Sequence, residues 1–524
     1  MSTGQLQPVK FQPGQFLNGS EYQGKNRWRL AQLIRWRNRF ATPIGGWKKV
    51  SMVVAGTPVS FLTGAVRAML TWRANNQARW AAMGTSQKLY AFDGGALSDI
   101  TPAAFVTGNE NASIGYGFGG GLYGAGTWGT ARTGAGIALD PAFWSFDNWG
   151  EWLVAVANCD GRLFQWIPAG AIATAVTNAP TGCRSVVTTN ERYVFALGAS
   201  TTPDGITYTV NPRNVSWCDQ QNITVWLPTL TNTAGSIPLD TPGIIIRGTR
   251  FAQDVLIWTD QDLHRSQYLG PPLVYGFKKM GSGCGLIGPN AICQSTDMVV
   301  WMSQNGFYSY QGFVRALESD VGDFVFANIN RDQQAKVCAG HNSTFNEMWW
   351  WYPSGTSTEC DSYVVYNYVD NWWGAGKMAR SAWADAQVWP KPLAAQPILN
   401  SDGTTSGVIF QHEDGYLDDV ATRSVFLESA PIELGNGDTT TWIERCYQDT
   451  SGALGVAQLT LRTRLAPNAV ETTFGPYVLD DARGYTDTRA IGRETVFRID
   501  QMPNKDSYWH LGDFRLQISQ SSRR

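Results

Sequence analysis

The sequence predicts an all-β fold: a β-propeller of about six to eight blades, with an N-terminal arm and a small C-terminal β-sandwich. Three observations predict it. The stretch Asp297 to Gly312, DMVVWMSQNGFYSYQG, has a β-branched and aromatic run (Val299 to Ser303), the turn signal Gln304-Asn305-Gly306 and a second run (Phe307 to Tyr310), which is the grammar of a β-hairpin. That grammar recurs from Lys88, Trp152, Val255, Met348 and Gly407, and the hairpins near 255, 298, 348 and 407 lie 43 to 59 residues apart, near the ~40 to 50 residue period of propeller blades. Finally, 55 Gly, 23 Trp, 19 Tyr and 23 Phe accompany only 16% charged residues, below the ~25% of ordinary globular domains.

The boundaries follow from where this grammar starts and stops: an arm over 1–48, a propeller over 49–429 and a sandwich over 430–524. In the arm, RWRLAQLIRWRNRF (Arg27 to Phe40) reads as a short amphipathic helix with Trp28, Leu30, Leu33, Ile34 and Trp36 along one side. Its arginines and tryptophans make Arg27, Trp28, Arg35, Trp36, Arg37 and Arg39 the candidate assembly contacts, through docking on protein or through nucleic acid. Residues through Phe92 carry 13 Lys/Arg against one acid, Glu21, an asymmetry that gives the basic part a contact role. Gly19 to Asn26 approaches a phosphate loop, but Asn26 stands where a Ser/Thr hydroxyl is needed.

A propeller closes when strands from distant parts of the chain share a blade, so SMVVAG near residue 51 is expected to pair with the blade ending near 420. Between the first blades, Gly115 to Gly136 matches G-x-G-x-x-G twice, without the strand-then-helix context of a dinucleotide site. It reads as a long mobile loop, Gly115 to Gly136, anchored by Tyr116, Phe118, Tyr123 and Trp128. After Ser429 strands lengthen: AQLTLRTRL places Leu459, Leu461, Thr463 and Leu465 on one face.

No catalytic, cofactor-binding or metal-binding residue is nominated. The four histidines fall in no metal pattern, no G-x-S-x-G elbow occurs and the eight cysteines form no C-x-x-C pair. Scattered cysteines read as buried free thiols made in a reducing cytosol. The first residues lack the basic start and apolar run of a signal peptide, and no apolar run of 18 or more predicts a membrane-spanning segment. A sugar-cleaving or sugar-binding propeller is the rival from another class. Its Asp-turn repeat is only hinted at, by Ser401-Asp402-Gly403-Thr404 and Thr202-Pro203-Asp204-Gly205.

Several ordered stretches resemble the tail nozzle proteins of short-tailed bacteriophages, also called tail hub or packaged-DNA stabilisation proteins. They are FQPGQFLNGSEYQGKNRWRLAQLIRWRNRFATPIGGW, LYAFDGGALSDITP, WGTARTG with DNWGEWLVAV, and the run from YLGPPLVYGF (Tyr268 to Phe277) through CGLIGPNA, FANINRDQQAKVCAGHN and FNEMWWWYPS to VVYNYVDNWW. The family often has acidic residues among the arginines of the arm, and none occur here. The resemblance implies a non-enzymatic virion component without cofactors, assembled in the host cytoplasm. It would form a homo-oligomeric ring, hexameric in that family, below the adaptor and portal. Double-stranded DNA would pass through its lumen without sequence-specific binding, and tail fibre or needle proteins would attach to it.

Overall fold

The computed structural model describes residues 5–114, 138–200, 210–434, 439–466, 469–503, 505 and 507–522. The expected mobile loop, Gly115 to Gly136, lies outside the described residues.

Six four-stranded antiparallel sheets follow one another, beginning at Val66, Trp144, Ser185, Ile245, Ile292 and Cys338. A seventh sheet contains Ala382–Ala384, Leu393–Leu399 and Thr405–His412 and is completed by two short strands from earlier in the chain, Trp47–Lys49 and Leu62–Thr63. The first strand of the seventh sheet packs on Val66–Arg73 of the first, which closes the circle. The described chain is thus a seven-bladed propeller.

Most hairpins fall where the sequence placed them. Val299–Met302 pairs with Phe307–Tyr310, Trp152–Ala157 with Leu163–Trp166 and Glu347–Tyr352 with Ser362–Asn367. The copy at Gly407 differs. Its strand, Thr405–His412, is not followed by a hairpin partner; Trp47–Lys49 takes that place, with Phe410 opposite Lys49 and His412 opposite Trp47. The closing strand is therefore a few residues earlier than SMVVAG, and Met52–Val54 instead folds onto Thr57–Val59.

Tryptophan explains much of how adjacent blades lock. An indole N–H is a donor that usually finds an acceptor when buried. Trp144 of blade 2 donates to Thr85 O of blade 1 (2.7 Å), Trp350 of blade 6 to Ala291 O beside blade 5 (3.0 Å) and Trp383 of blade 7 to His341 O of blade 6 (2.8 Å). Glycines make room for two of these rings: a Cβ at Gly84 would lie 2.3 Å from Trp144, and one at Gly340 would lie 2.4 Å from Trp383.

The C-terminal part is a sandwich of two six-stranded sheets. Leu459, Leu461 and Thr463 point inward as the alternation predicts, whereas Leu465 lies beyond the end of its strand and is exposed. Both sheets include strands from the start of the chain: Gln5–Val9, Ile34–Arg37 and Phe40–Pro43 in one, Trp28–Gln32 in the other. Residues 27–40 are therefore not a helix. Asn38 (φ 50) and Arg39 (φ 68) are both left-handed between paired Arg37 and Phe40, the backbone of a two-residue hairpin turn that an Asn at its first position favours. Leu33 (φ 56) breaks the preceding strand.

Candidate functional site

Two clusters of buried charge among the described residues lie at the N-terminal hairpin and beside the propeller cavity. In these N-terminal strands Trp28, Arg35 and Trp36 are buried. Trp28 packs on Phe11 (4.2 Å between ring centroids), Trp36 meets Trp372 of blade 6 edge-on (5.1 Å), and Arg27 pairs with Asp320 (2.5 Å). Four of the six candidate contact residues are thus engaged within the chain, and Arg27, Arg35 and Trp36 tie the sandwich to the propeller. Arg37 and Arg39, at the hairpin tip, are exposed.

Arg35 is the centre of this junction. Its Nε and Nη2 donate to the two oxygens of Glu347 (2.6 and 2.8 Å), and Nη2 also reaches Glu413 Oε1 (2.7 Å). The guanidinium lies 3.4 Å from the Phe345 ring centroid. Glu413 accepts further from Asn342 Nδ2 and the Gly45 N–H, both at 3.1 Å. Burial pushes both carboxyls up; at Glu413 the Arg35 charge more than reverses this and holds it below the usual carboxylate range, whereas Glu347 stays raised despite Arg35. Beside them His412 is kept neutral by burial and by Arg380, whose Nε donates to its Nε2 at 2.7 Å.

The innermost strands surround a cavity of about 190 Å³ at the propeller axis. Arg67, Ser381 and Trp383 form part of its wall, with Arg247, Asn290 and Gln294 across from them. Arg67 binds Glu359 through two parallel hydrogen bonds of 2.7 Å, the strong bidentate geometry, and lies 3.6 Å from Glu110. Lys336 caps the cluster, donating to Glu359 Oε1 (2.7 Å) and Asn111 Oδ1 (2.6 Å). Burial and the Arg67 charge push Lys336 down to about 8 against the pull of Glu359. Glu359 itself stays below the usual carboxylate range, because Arg67 and Lys336 outweigh its burial. Asn290 links the two arginines: its Nδ2 donates to Arg67 O (2.6 Å) and its Oδ1 accepts from Arg247 Nη1 (2.5 Å).

These channel residues were not singled out from sequence, although a signal exists: Arg67 in AVRAML and Arg247 in IIIRGTR each interrupt an apolar inner strand. Glu110 and Glu359, the acids beside the channel, both face Arg67. Burial pushes the thiols of Cys159 and Cys183 up to about 11 and about 12, so they are poor nucleophiles at neutral pH. Among the described residues no group of three or more His, Cys, Asp or Glu is placed to hold a metal ion. No helix there is long and apolar enough to cross a membrane.

No family model and no curated protein matches the chain. Among solved structures it is similar to regucalcin, a calcium-binding protein of Agrobacterium tumefaciens, with TM-score 0.32 and 10% identity over 52% of this chain and 90% of that one. It is also similar to an exo-β-1,3-galactanase of Phanerochaete chrysosporium, with TM-score 0.25 and 10% identity over 67% of this chain and 98% of that one. Likeness at this level carries no argument about activity, and the propeller assignment rests on the strand pairings themselves.

Proposed function

We propose that this chain is a structural virion subunit, the nozzle of a short-tailed phage tail, working as a closed ring of six copies below the portal and adaptor. The ordered run of motifs from Tyr268 to Trp373 that resembles the nozzle family carries this assignment. The channel is consistent with it. A 190 Å³ cavity beside an Arg67–Glu359–Lys336 cluster leaves no passage for a duplex within one subunit, so a DNA conduit has to be enclosed by several. The rigid tie between sandwich and propeller through Arg35 also suits a subunit that bears load in a ring. Retention of packaged DNA and its release at ejection would then belong to the lumen of the ring, which sequence-independent contacts leave free to conduct.

Native mass spectrometry of the chain bound to its adaptor and portal complex tests this. Six copies closing a ring are expected. A single copy per complex overturns the proposal, as does steady hydrolysis of a host polysaccharide that one Asp→Asn or Glu→Gln substitution removes.

A further inference from the structure

The channel cavity has a charge imbalance that a structural role leaves unexplained. Its wall contains two guanidinium groups, Arg67 and Arg247, and no carboxylate side chain. Arg67 is neutralised by Glu359, yet its Nε is buried without a hydrogen-bond partner, and so is the hydroxyl of Ser381 on the same wall. Arg247 has no carboxylate within ion-pair distance among the described residues. Its hydrogen bonds go to neutral oxygens, Asn290 Oδ1 (2.5 Å) and Trp144 O (3.3 Å).

The acid nearest to it in effect, Asp147, is committed elsewhere: it accepts the N–H groups of Thr188 (2.7 Å) and Asn148 (2.8 Å) and lies 3.8 Å from Arg250. Burial pushes Asp147 up and Arg247 down to about 10, so neither charge is comfortable without help. Arg247 is half-buried and brings its charge to the cavity wall with no carboxylate in that wall to balance it. Such groups collect where a ligand supplies the missing charge.

We propose that the propeller cavity is an anion site, binding one small oxyanion, an inorganic phosphate or a short carboxylate, on the Arg247 guanidinium with Arg67 Nε and Ser381 Oγ as further donors. The size agrees: a cavity of about 190 Å³ has room for such an ion. Gln294 and Thr249, hydrogen-bonded to each other at 3.3 Å, are partly open to solvent and form a mouth through which the ion enters. The site belongs to a single subunit and is independent of whether the chain assembles into a ring.

Isothermal titration of the full chain at pH 7 with sodium phosphate, and separately with succinate, tests it. One-to-one binding is expected for at least one of the two, and comparing them identifies a tetrahedral or a carboxylate ligand. Arg247→Gln should weaken that binding at least tenfold, while Arg265→Gln, two strands further out in the same blade and paired with Asp254, should leave it within twofold. Gln294→Glu supplies a carboxylate from the wall itself, and it should abolish binding while raising Tm, which keeps the test decisive if Arg247→Gln does not fold. Saturable binding by neither ion, or equal binding by wild type, Arg247→Gln and Gln294→Glu, overturns the proposal.

Discussion

Arg35 was legible as a charge beside tryptophans, but its role was not, because sequence gives no distance to Glu347 and Glu413, more than three hundred positions later. The triad places one cation against a buried carboxylate, Glu347, and a half-buried one, Glu413. Removing it leaves both acids desolvated and unpaired, so Arg35→Met is expected to destabilise the chain by ~3–5 kcal/mol, read from urea unfolding. The sign of its pH dependence follows. Without Arg35 the folded-state pKa of each carboxyl lies above the unfolded value of about 4.3, so the deficit is small below that pH and grows as pH rises through the folded values. A deficit that instead widened on acidification would refute this account. Arg37 and Arg39 were named as charges of a helix, and the turn that exposes them was not read, because it belongs to a hairpin whose strands pair with distant ones.

At the scale of the element, hairpins were readable wherever both strands and the turn were contiguous, because alternation and turn chemistry are local signals. The exceptions are all non-local. The last blade borrows Trp47–Lys49, and Trp28–Gln32 lies beside Phe426–Ser429 with Leu30 opposite Glu428. Helical spacing of apolar residues in 27–40 is real, yet pairing across the whole chain overrides it. Two expectations follow. Gly84→Ala forces a methyl against the Trp144 ring in the seam between blades 1 and 2, and should lower stability by ~1–3 kcal/mol through overpacking, visible as a lower urea midpoint with unchanged slope. A fragment spanning 425–524, made alone, lacks four strands of its two sheets and the Trp28 and Trp36 side chains of its core. It should show no cooperative thermal transition, and adding a peptide of residues 5–45 should restore one. A cooperative transition in the fragment alone would show that the sandwich needs no N-terminal strands.

For the whole molecule, propeller class was legible from period and composition, whereas the blade count awaited the strand that closes the ring. Assembly is expected to depend on the exposed hairpin tip: Arg37→Glu with Arg39→Glu should leave monomer stability within ~0.5 kcal/mol, as surface changes do, and reduce incorporation into tails at least tenfold. The same loss should appear for the wild type as salt is raised, since exposed charges are screened beyond ~8 Å at physiological ionic strength. Particle incorporation measured by quantitative mass spectrometry decides, and normal incorporation of the double variant rules the tip out as a contact. The pairing of Gln5–Val9 with the strand His510–Ser522, Leu6 opposite Gln517, also sets a timetable. On the ribosome Gln5–Val9 is made 501 positions ahead of His510 (510 − 9), an interval of roughly half a minute to two minutes at ~5–20 residues per second. Blades can form in order behind the exit tunnel while the earliest strands wait with unpaired edges and uncovered tryptophans. A nascent chain stalled before His510 therefore displays these strands as a chaperone or protease target, and only translation through His510–Ser522 hides them.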